Sequence, residues 1–209
     1  MLHHVYNRVL NFTDNLFLAI CDQEVKEYCE KMDIKYVMTN PDHPSGSDRI
    51  GEAVKKLEDN INFKYVINVQ GDMPFIRENH VNLLKERLVH YKMSTLACPF
   101  INLDEAKKNS KVKVLIDENN FALDFSRILD NKLKINKNIF HHIGVYGYHK
   151  HFLSDFISLS PTKRELSEKL EQLRIIKTTK IGISIIKEEI LGVDTKEDLD
   201  RVNRLIYNE

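Results

Sequence analysis

FLAICDQEVKEYCEKMDIKYVM, residues 17–38, decides the fold class. Two short apolar runs, FLAIC (17–21) and KYVM (35–38), flank CDQEVKEYCEKMD (21–33), in which Val25, Tyr28, Cys29 and Met32 recur at i, i+3, i+4 and i+7. That spacing is one face of a helix. Strand, helix and strand in succession form the unit of a parallel sheet, because parallel neighbours need a crossover between them. The same alternation continues outward. A helix over 48–58 precedes the strand YVINVQ (65–70), and another near 78–91 precedes TLACPF (95–100). VKVLIDENNFALDFSR (112–127) reads as a hairpin whose Asn119 and Asn120 suit the positive φ of a tight turn. IFHHIGVYGYHK (139–150) is a further strand. A helix follows SLSPTKRE, then come the strand IGISII (181–186) and a closing helix within DTKEDLDRV (194–202). The expected architecture is one domain over 1–209, α/β, with a mixed, mostly parallel sheet between two layers of helices.

Composition excludes several function classes. Lysine plus arginine equals aspartate plus glutamate at 31 each, so no electrostatic pull toward nucleic acid or an acidic membrane is expected. No apolar run approaches the roughly 20 residues of a membrane helix, and MLHHVYNRVL lacks the features of a signal peptide. Cys21, Cys29 and Cys98 are odd in number and have no Cys/His ligand spacing around them, which reads as buried reduced thiols in a cytoplasmic protein.

Within YVINVQGDMPFI (65–76) an acid, Asp72, follows an apolar strand and a glycine. In such sheets ligands bind beyond the carboxyl ends of the strands, although an aspartate there also serves as a turn cap. LGVDTKEDLDRV (191–202) places Asp194 after a second apolar run, with Thr195 and Asp198 spaced as a helix N-cap pair. Two strand-end acids suit one Mg²⁺, which takes one or two carboxylates plus substrate phosphates. Spacing alone does not bring the two together.

NVQGDMPFI, HHIGVYGYHKHFL, EKLEQLRII and GVDTKEDLDRV stand in the order and spacing of the 3-deoxy-manno-octulosonate (Kdo) cytidylyltransferase family, which the chain resembles over essentially its whole length. DHPSGSDRI (42–50) is similar to that family's D-H-x-S-G-T-E-R, with Ser47 for Thr and Asp48 for Glu; the 112–127 hairpin is similar to V-K-V-V-x-D-x-x-G-x-A-x-Y-F-S-R, with Asn120 for Gly and Asp124 for Tyr. The resemblance implies a nucleotide-diphospho-sugar transferase-like fold and attack of the Kdo anomeric hydroxyl on the α-phosphorus of CTP, giving CMP-Kdo and pyrophosphate for lipopolysaccharide synthesis. It implies Mg²⁺ held by Asp72 and Asp194. For the sugar it implies Gln70, Arg127, His142, Tyr146, Glu171 and Gln172, and for the nucleotide Ser45, Gly46, Ser47 and Arg49. A homodimer with contacts from 112–150 is implied as well.

Some expectations come from the residues themselves. Strand alternation puts 142, 144 and 146 on one face, with His141 on the other. LSEKLEQLRII reads as one helix, with Leu166, Leu170 and Leu173 buried and Glu168, Glu171 and Gln172 opposite. Two departures from the family pattern stand out. ILDNKL replaces the S-R-A-x-I-P continuation after Arg127. LHHVYNRVL is similar to the helix that follows the family's first central strand and its phosphate-binding I-P-A-R-x-x-S-x-R-L-P-G-K-P-L stretch, so that strand and loop are expected to be missing and the 209-residue chain to be poorly stable. The other readings are a non-catalytic remnant of the family and a synthetase acting on a sialate-type sugar acid.

Overall fold

The computed structural model describes residues 1–129, 138–193 and 195–207. Its elements are α1 (Leu2–Leu10), β1 (Leu18–Ile20), α2 (Gln23–Lys31), β2 (Tyr36–Met38), α3 (Gly46–Leu57), β3 (Tyr65–Asn68), α4 (Glu78–Leu88) and β4 (Met93–Cys98). They continue as α5 (Leu103–Lys107), β5 (Lys113–Ile116), β6 (Ala122–Ser126), β7 (Ile139–His149), α6 (Lys150–Ser158), α7 (Lys163–Glu168), a 3₁₀ turn (Glu171–Arg174), β8 (Ile181–Ile185) and α8 (Lys196–Tyr207).

The opening unit folds as its pattern requires: β1 and β2 pair in parallel across α2. Only part of the α2 stripe is covered, since Cys29 is buried while Tyr28 and Met32 stay exposed. The hairpin forms with Asn120 at φ 57° in its turn. The sheet as a whole is less parallel than the sequence suggests. Among the described strands only β1–β2 and β4–β8 pair in parallel. The reason is β7, which runs antiparallel to β3, β4 and β5 and lies between them. Consequently β3, β4 and β8 share a direction without all being neighbours. Among the described residues β1 pairs with β2 alone and β3 with β7 alone.

Two cores lie on opposite faces of the large sheet. On one, α3 and α6 contribute Val54, Phe152, Leu153 and Phe156 against Met93, Ala97, Tyr146, Tyr148 and Ile183. On the other, Val5 and Val9 of α1 and Leu84 of α4 meet Leu96, Cys98, Ile143 and Val145. Successive residues of β7 thus feed alternate cores, as the pleat dictates. A register shift at Thr95/Leu96 leaves Gly144 and Val145 without partners on β4. The hydroxyl of Thr95 fills this bulge, lying 3.1 Å from the Ile143 carbonyl and 2.8 Å from that of Val145. Tyr6 of α1 joins a third, smaller core with Ile20, Cys29 and Ile34 under the β1–β2 pair.

Gly147 sits where β7 is most crowded. A Cβ there would come within 2.6 Å of Ser94 Oγ, 3.0 Å of Leu88 Cδ1 and 3.2 Å of Ile67 Cδ1. At Gly144 the nearest atom would be Met73 Cε at 3.9 Å. Gly147→Ala is therefore expected to lower stability by about 1–3 kcal/mol in urea unfolding, and Gly144→Ala to leave the midpoint nearly unchanged. Equal midpoints for the two variants would contradict this packing.

Candidate active site

A cleft of about 1110 Å³ opens along the carboxyl end of β3 and the bulged part of β7. Ser45, Gly46, Gln70, Asp72, Arg127, His142, Tyr146, Glu171 and Gln172 all line it. Asp72 follows the end of β3, and its backbone carbonyl accepts from the N–H of Val193 at 3.0 Å. Gly192 and Thr195 line the same cleft. The strand-end segment around Asp72 and the GVDT segment are thus stitched together, which spacing alone did not show. Asp194 itself lies outside the described residues. Thr195 caps α8 as its spacing suggests: Asp198 N donates to Thr195 Oγ1 at 3.2 Å, and Thr195 N donates to Asp198 Oδ2 at 2.9 Å.

His142 and Tyr146 do share a face, with ring centroids 5.5 Å apart. Burial above all, with smaller contributions from His141 and the Arg127 guanidinium, drives the His142 pKa down to about 3. The ring is therefore neutral. Its Nε2 lies 3.0 Å from Thr95 Oγ1, whose single proton is claimed by the carbonyls of the bulge. Nε2–H then donates to Thr95, and Nδ1 is left as an acceptor. Tyr146 OH donates to Gln172 Oε1 at 3.2 Å. Burial and then the Glu171 carboxylate push the Tyr146 pKa well up, so the phenol keeps its proton. The Gln172 side chain is 1% exposed and its Nε2 has no hydrogen-bond partner, an arrangement that costs about 1–3 kcal/mol unless something accepts from it. That orphaned donor sits in the wall of the cleft.

The expected continuous helix through LSEKLEQLRII is interrupted. α7 ends at Glu168, its C-cap Lys169 adopts φ 52°, ψ 51°, and the chain resumes as the 3₁₀ turn. Leu170 and Leu173 are buried as expected, but Leu166 is exposed, and Gln172 is buried rather than on a polar outer face. Glu168 accepts from Arg127 N at 3.0 Å and from Arg164 Nε at 2.8 Å. Arg127 lines the cleft, yet its Nε donates to the Glu168 carbonyl at 2.7 Å, so α7 and its C-terminal carbonyls hold the guanidinium in place. Lys113, also buried, donates to the Arg127 carbonyl at 2.7 Å and to the Lys108 carbonyl at 2.8 Å.

On the DHPSGSDRI side, two residues leave the expected set. Ser47 is fully buried, with its Oγ 2.5 Å from Tyr148 OH and 2.7 Å from Glu171 Oε1. Arg49 does not line the cleft. Its Nη1 donates to Thr39 Oγ1 at 2.7 Å and to the Asn40 carbonyl at 3.2 Å, which fastens the loop between β2 and α3. Helix formation explains both: residues one and three positions into α3 follow the helix rather than the loop mouth, where Ser45 and Gly46 remain. Ser45 is the N-cap, its Oγ accepting from Asp48 N at 3.2 Å.

Sequence reasoning missed the group behind this wall. Arg174 is buried with Asp48 and Glu165, donating to Asp48 Oδ1 and Oδ2 at 2.9 Å each and to Glu165 Oε1 at 2.6 Å. The T-x-x-E spacing of Thr162 and Glu165 does announce a capping box, and the box forms. Nothing in the sequence announced the second use of Glu165.

A profile described as Cytidylyltransferase matches residues 1–185. The chain belongs to this family. It is 38% identical over 90% of its length to the 3-deoxy-manno-octulosonate cytidylyltransferase of Leptospira interrogans serovar Lai, covering 76% of that protein. It is 37% identical over 93% of its length to the Helicobacter acinonychis protein of the same name, covering 83% of it. A solved CMP:2-keto-3-deoxy-manno-octonic acid synthetase complexed with CTP superposes with a TM-score of 0.86 at 30% identity, over 99% of this chain and 87% of that one. Among the described residues, no helix of the cytidylyltransferase is long and apolar enough to cross a membrane.

The His142 shift carries a pH signature. The folded pKa of about 3 lies below the ordinary 6.5, so the unfolded chain takes up a proton first as pH falls. Stability present above about pH 6.5 is lost progressively toward pH 3, by at most about 1.4 kcal/mol per pH unit. His141, lowered to about 4 by burial despite Glu189, acts in the same direction. Urea unfolding of His142→Gln at pH 7 and pH 5 is expected to show a smaller loss than the parent protein. An identical loss would contradict a buried neutral His142.

Proposed function

We propose that this cytidylyltransferase joins Kdo to CMP at the cleft, consuming CTP and releasing pyrophosphate. The observation that carries the reading is that curated relatives spanning nine-tenths of the chain, and a fold match to a CTP-bound synthetase, agree on one reaction. The residues of the cleft support it. A sugar acid rich in hydroxyls calls for buried donors and acceptors of fixed direction. The neutral His142 Nδ1 accepts, while Gln172 Nε2, a buried donor with no partner in the protein, is available to a sugar hydroxyl that reaches the cleft wall. Gln70 sits opposite Gly46, whose missing side chain keeps the cleft open on the nucleotide side; a Cβ there would lie 3.7 Å from Gln70 Nε2. Arg127 supplies the cation for the sugar's carboxylate, oriented by the α7 carbonyls. Glu171 lines the cleft with both oxygens already accepting from Ser47. A carboxylate has about four acceptor sites, so it retains capacity for a sugar hydroxyl.

The donor set fits Mg²⁺. Among the described residues no three His, Cys, Asp or Glu side chains converge on a common point, so these residues by themselves build no all-protein cage. Mg²⁺ instead needs one or two carboxylates and completes its shell from water and substrate phosphates. Asp72, stitched by its backbone to the segment that bears Asp194, supplies that pattern. When bound, the ion neutralises charge on the phosphates and lowers the pKa of the attacking hydroxyl. The protein's own share is alignment, which is most of what phosphoryl transfer requires.

Pyrophosphate release with CTP and Mg²⁺ is expected with Kdo and not with a sialic acid. Asp72→Asn should lower turnover by orders of magnitude in a protein that still folds. Gln172→Ala and Tyr146→Phe should raise the KM for Kdo about 5- to 150-fold, corresponding to the loss of about 1–3 kcal/mol, with little change for CTP. Preference for sialic acid, or equal damage to both substrates, would contradict the assignment.

A further inference from the structure

The two sides of the cleft are tied to each other behind its surface. α3 begins beneath Ser45 and Gly46, and the 3₁₀ turn carries Glu171 and Gln172. Two independent links join these elements across more than a hundred residues of chain. In the first, Ser47 N donates to Glu171 Oε2 at 3.0 Å and Ser47 Oγ to Glu171 Oε1 at 2.7 Å, with Tyr148 OH 2.5 Å from the same hydroxyl. In the second, the fork of Arg174 holds both oxygens of Asp48 at 2.9 Å. Its Nε is 3.0 Å from Glu165 Oε1 and 3.1 Å from Oε2, and the guanidinium lies 4.6 Å over the ring of Phe156. Burial alone would raise the Asp48 pKa, yet the Arg174 and Ser45 hydrogen bonds bring it below the usual range, so the pair is ionised. Neither Ser47 nor Arg174 lines the cleft.

We propose that Ser47 and Arg174 are positioning residues, forming a brace that fixes the gap between the nucleotide-side loop 44–46 and the sugar-side turn 170–172. The inference rests on the cleft binding CTP on one side and Kdo on the other. An N–H, a hydroxyl and a planar fork allow little play. If α3 moves to meet a nucleotide, Glu171 moves with Ser47 and Gln172 with Glu171. Occupancy of one side therefore orders the other, and the reacting atoms are brought to attack distance only while both links hold. Misplacement of about 1 Å by a change remote from the chemistry can cost about 100-fold in rate.

A purely structural role would lower the melting temperature and leave the folded enzyme's kinetics alone. The test uses Ser47→Ala, which loses the hydroxyl but fits the site, and Arg174→Lys, which keeps the charge but loses the fork. The affinity of a CTP analogue with a methylene bridge between the α- and β-phosphorus is measured by calorimetry with and without saturating Kdo. In the parent protein Kdo is expected to tighten the analogue about 5-fold or more. In folded Ser47→Ala this factor should fall to within about twofold of one, and kcat should drop about tenfold or more while each KM rises by no more than the coupling lost. Arg174→Lys should behave alike, and adding Asp48→Glu, which lengthens the acid toward the shortened base, should restore part of kcat. If Arg174→Lys does not fold, as loss of a buried ion-pair partner can cause, Ser47→Ala decides alone. Parental kcat and coupling in Ser47→Ala would overturn the brace, as would binding of both ligands by the parent protein without coupling. Failure of the parent protein to bind either ligand would overturn the proposed reaction, and the brace with it.

Discussion

β7 is the constraint on which the rest depends. Its eleven residues pair with β3 on one side, with β4 on the other, and with β5 near the start of the strand. This insertion turns a run of like-directed strands into a mixed sheet and gives both cores their central rows. It also creates the bulge at which the cleft opens. Where the ladder slips, Thr95 satisfies the exposed carbonyls and in doing so fixes the tautomer of His142. Three residues further along, Tyr148 reaches Ser47 and enters the buried network behind the cleft. A bulge next to a site, re-aiming one side chain, is a frequent use of that irregularity.

The chemistry follows from what the cleft keeps neutral and what it keeps charged. His142 and Tyr146 are held uncharged by burial, so in the proposed complex they would give directed hydrogen bonds to sugar hydroxyls without competing for the phosphates. Arg127 and Asp72 line the same cleft, and the proposed reaction assigns them to the sugar's carboxylate and, through a metal ion, to the phosphates. Asp48, Glu165 and Arg174 are charged too, but they face one another. Their charges serve geometry, and the planar fork is what makes that geometry narrow.

Local pattern showed a good deal of this. The 17–38 unit, the 112–127 hairpin with its left-handed Asn120, and the Thr195–Asp198 cap each rest on interactions within a few residues, and each formed as read. The strand-end Asp72 was visible because a carboxylate after so apolar a run is costly to place at random. What failed was long-range. Helical periodicity in LSEKLEQLRII did not reveal that Lys169 would break the helix, because the break is driven by burying Gln172 and Arg174 against α3. Ser47 and Arg49 stand away from the cleft lining because α3 starts at Gly46, which buries Ser47 and turns Arg49 toward the loop between β2 and α3. An ion cluster built from positions 48, 165 and 174 leaves no mark at any sequence spacing.

The cleft is proposed to join the anomeric oxygen of Kdo to the α-phosphorus of CTP. Phosphorus-31 NMR of the protein with CTP, Mg²⁺ and Kdo labelled with carbon-13 at the anomeric carbon observes that bond directly. The CTP signals are expected to give way to one phosphodiester signal coupled to the labelled carbon, with an equal amount of pyrophosphate. Intact CTP, or its conversion to CDP and inorganic phosphate with no coupled phosphodiester, would contradict it.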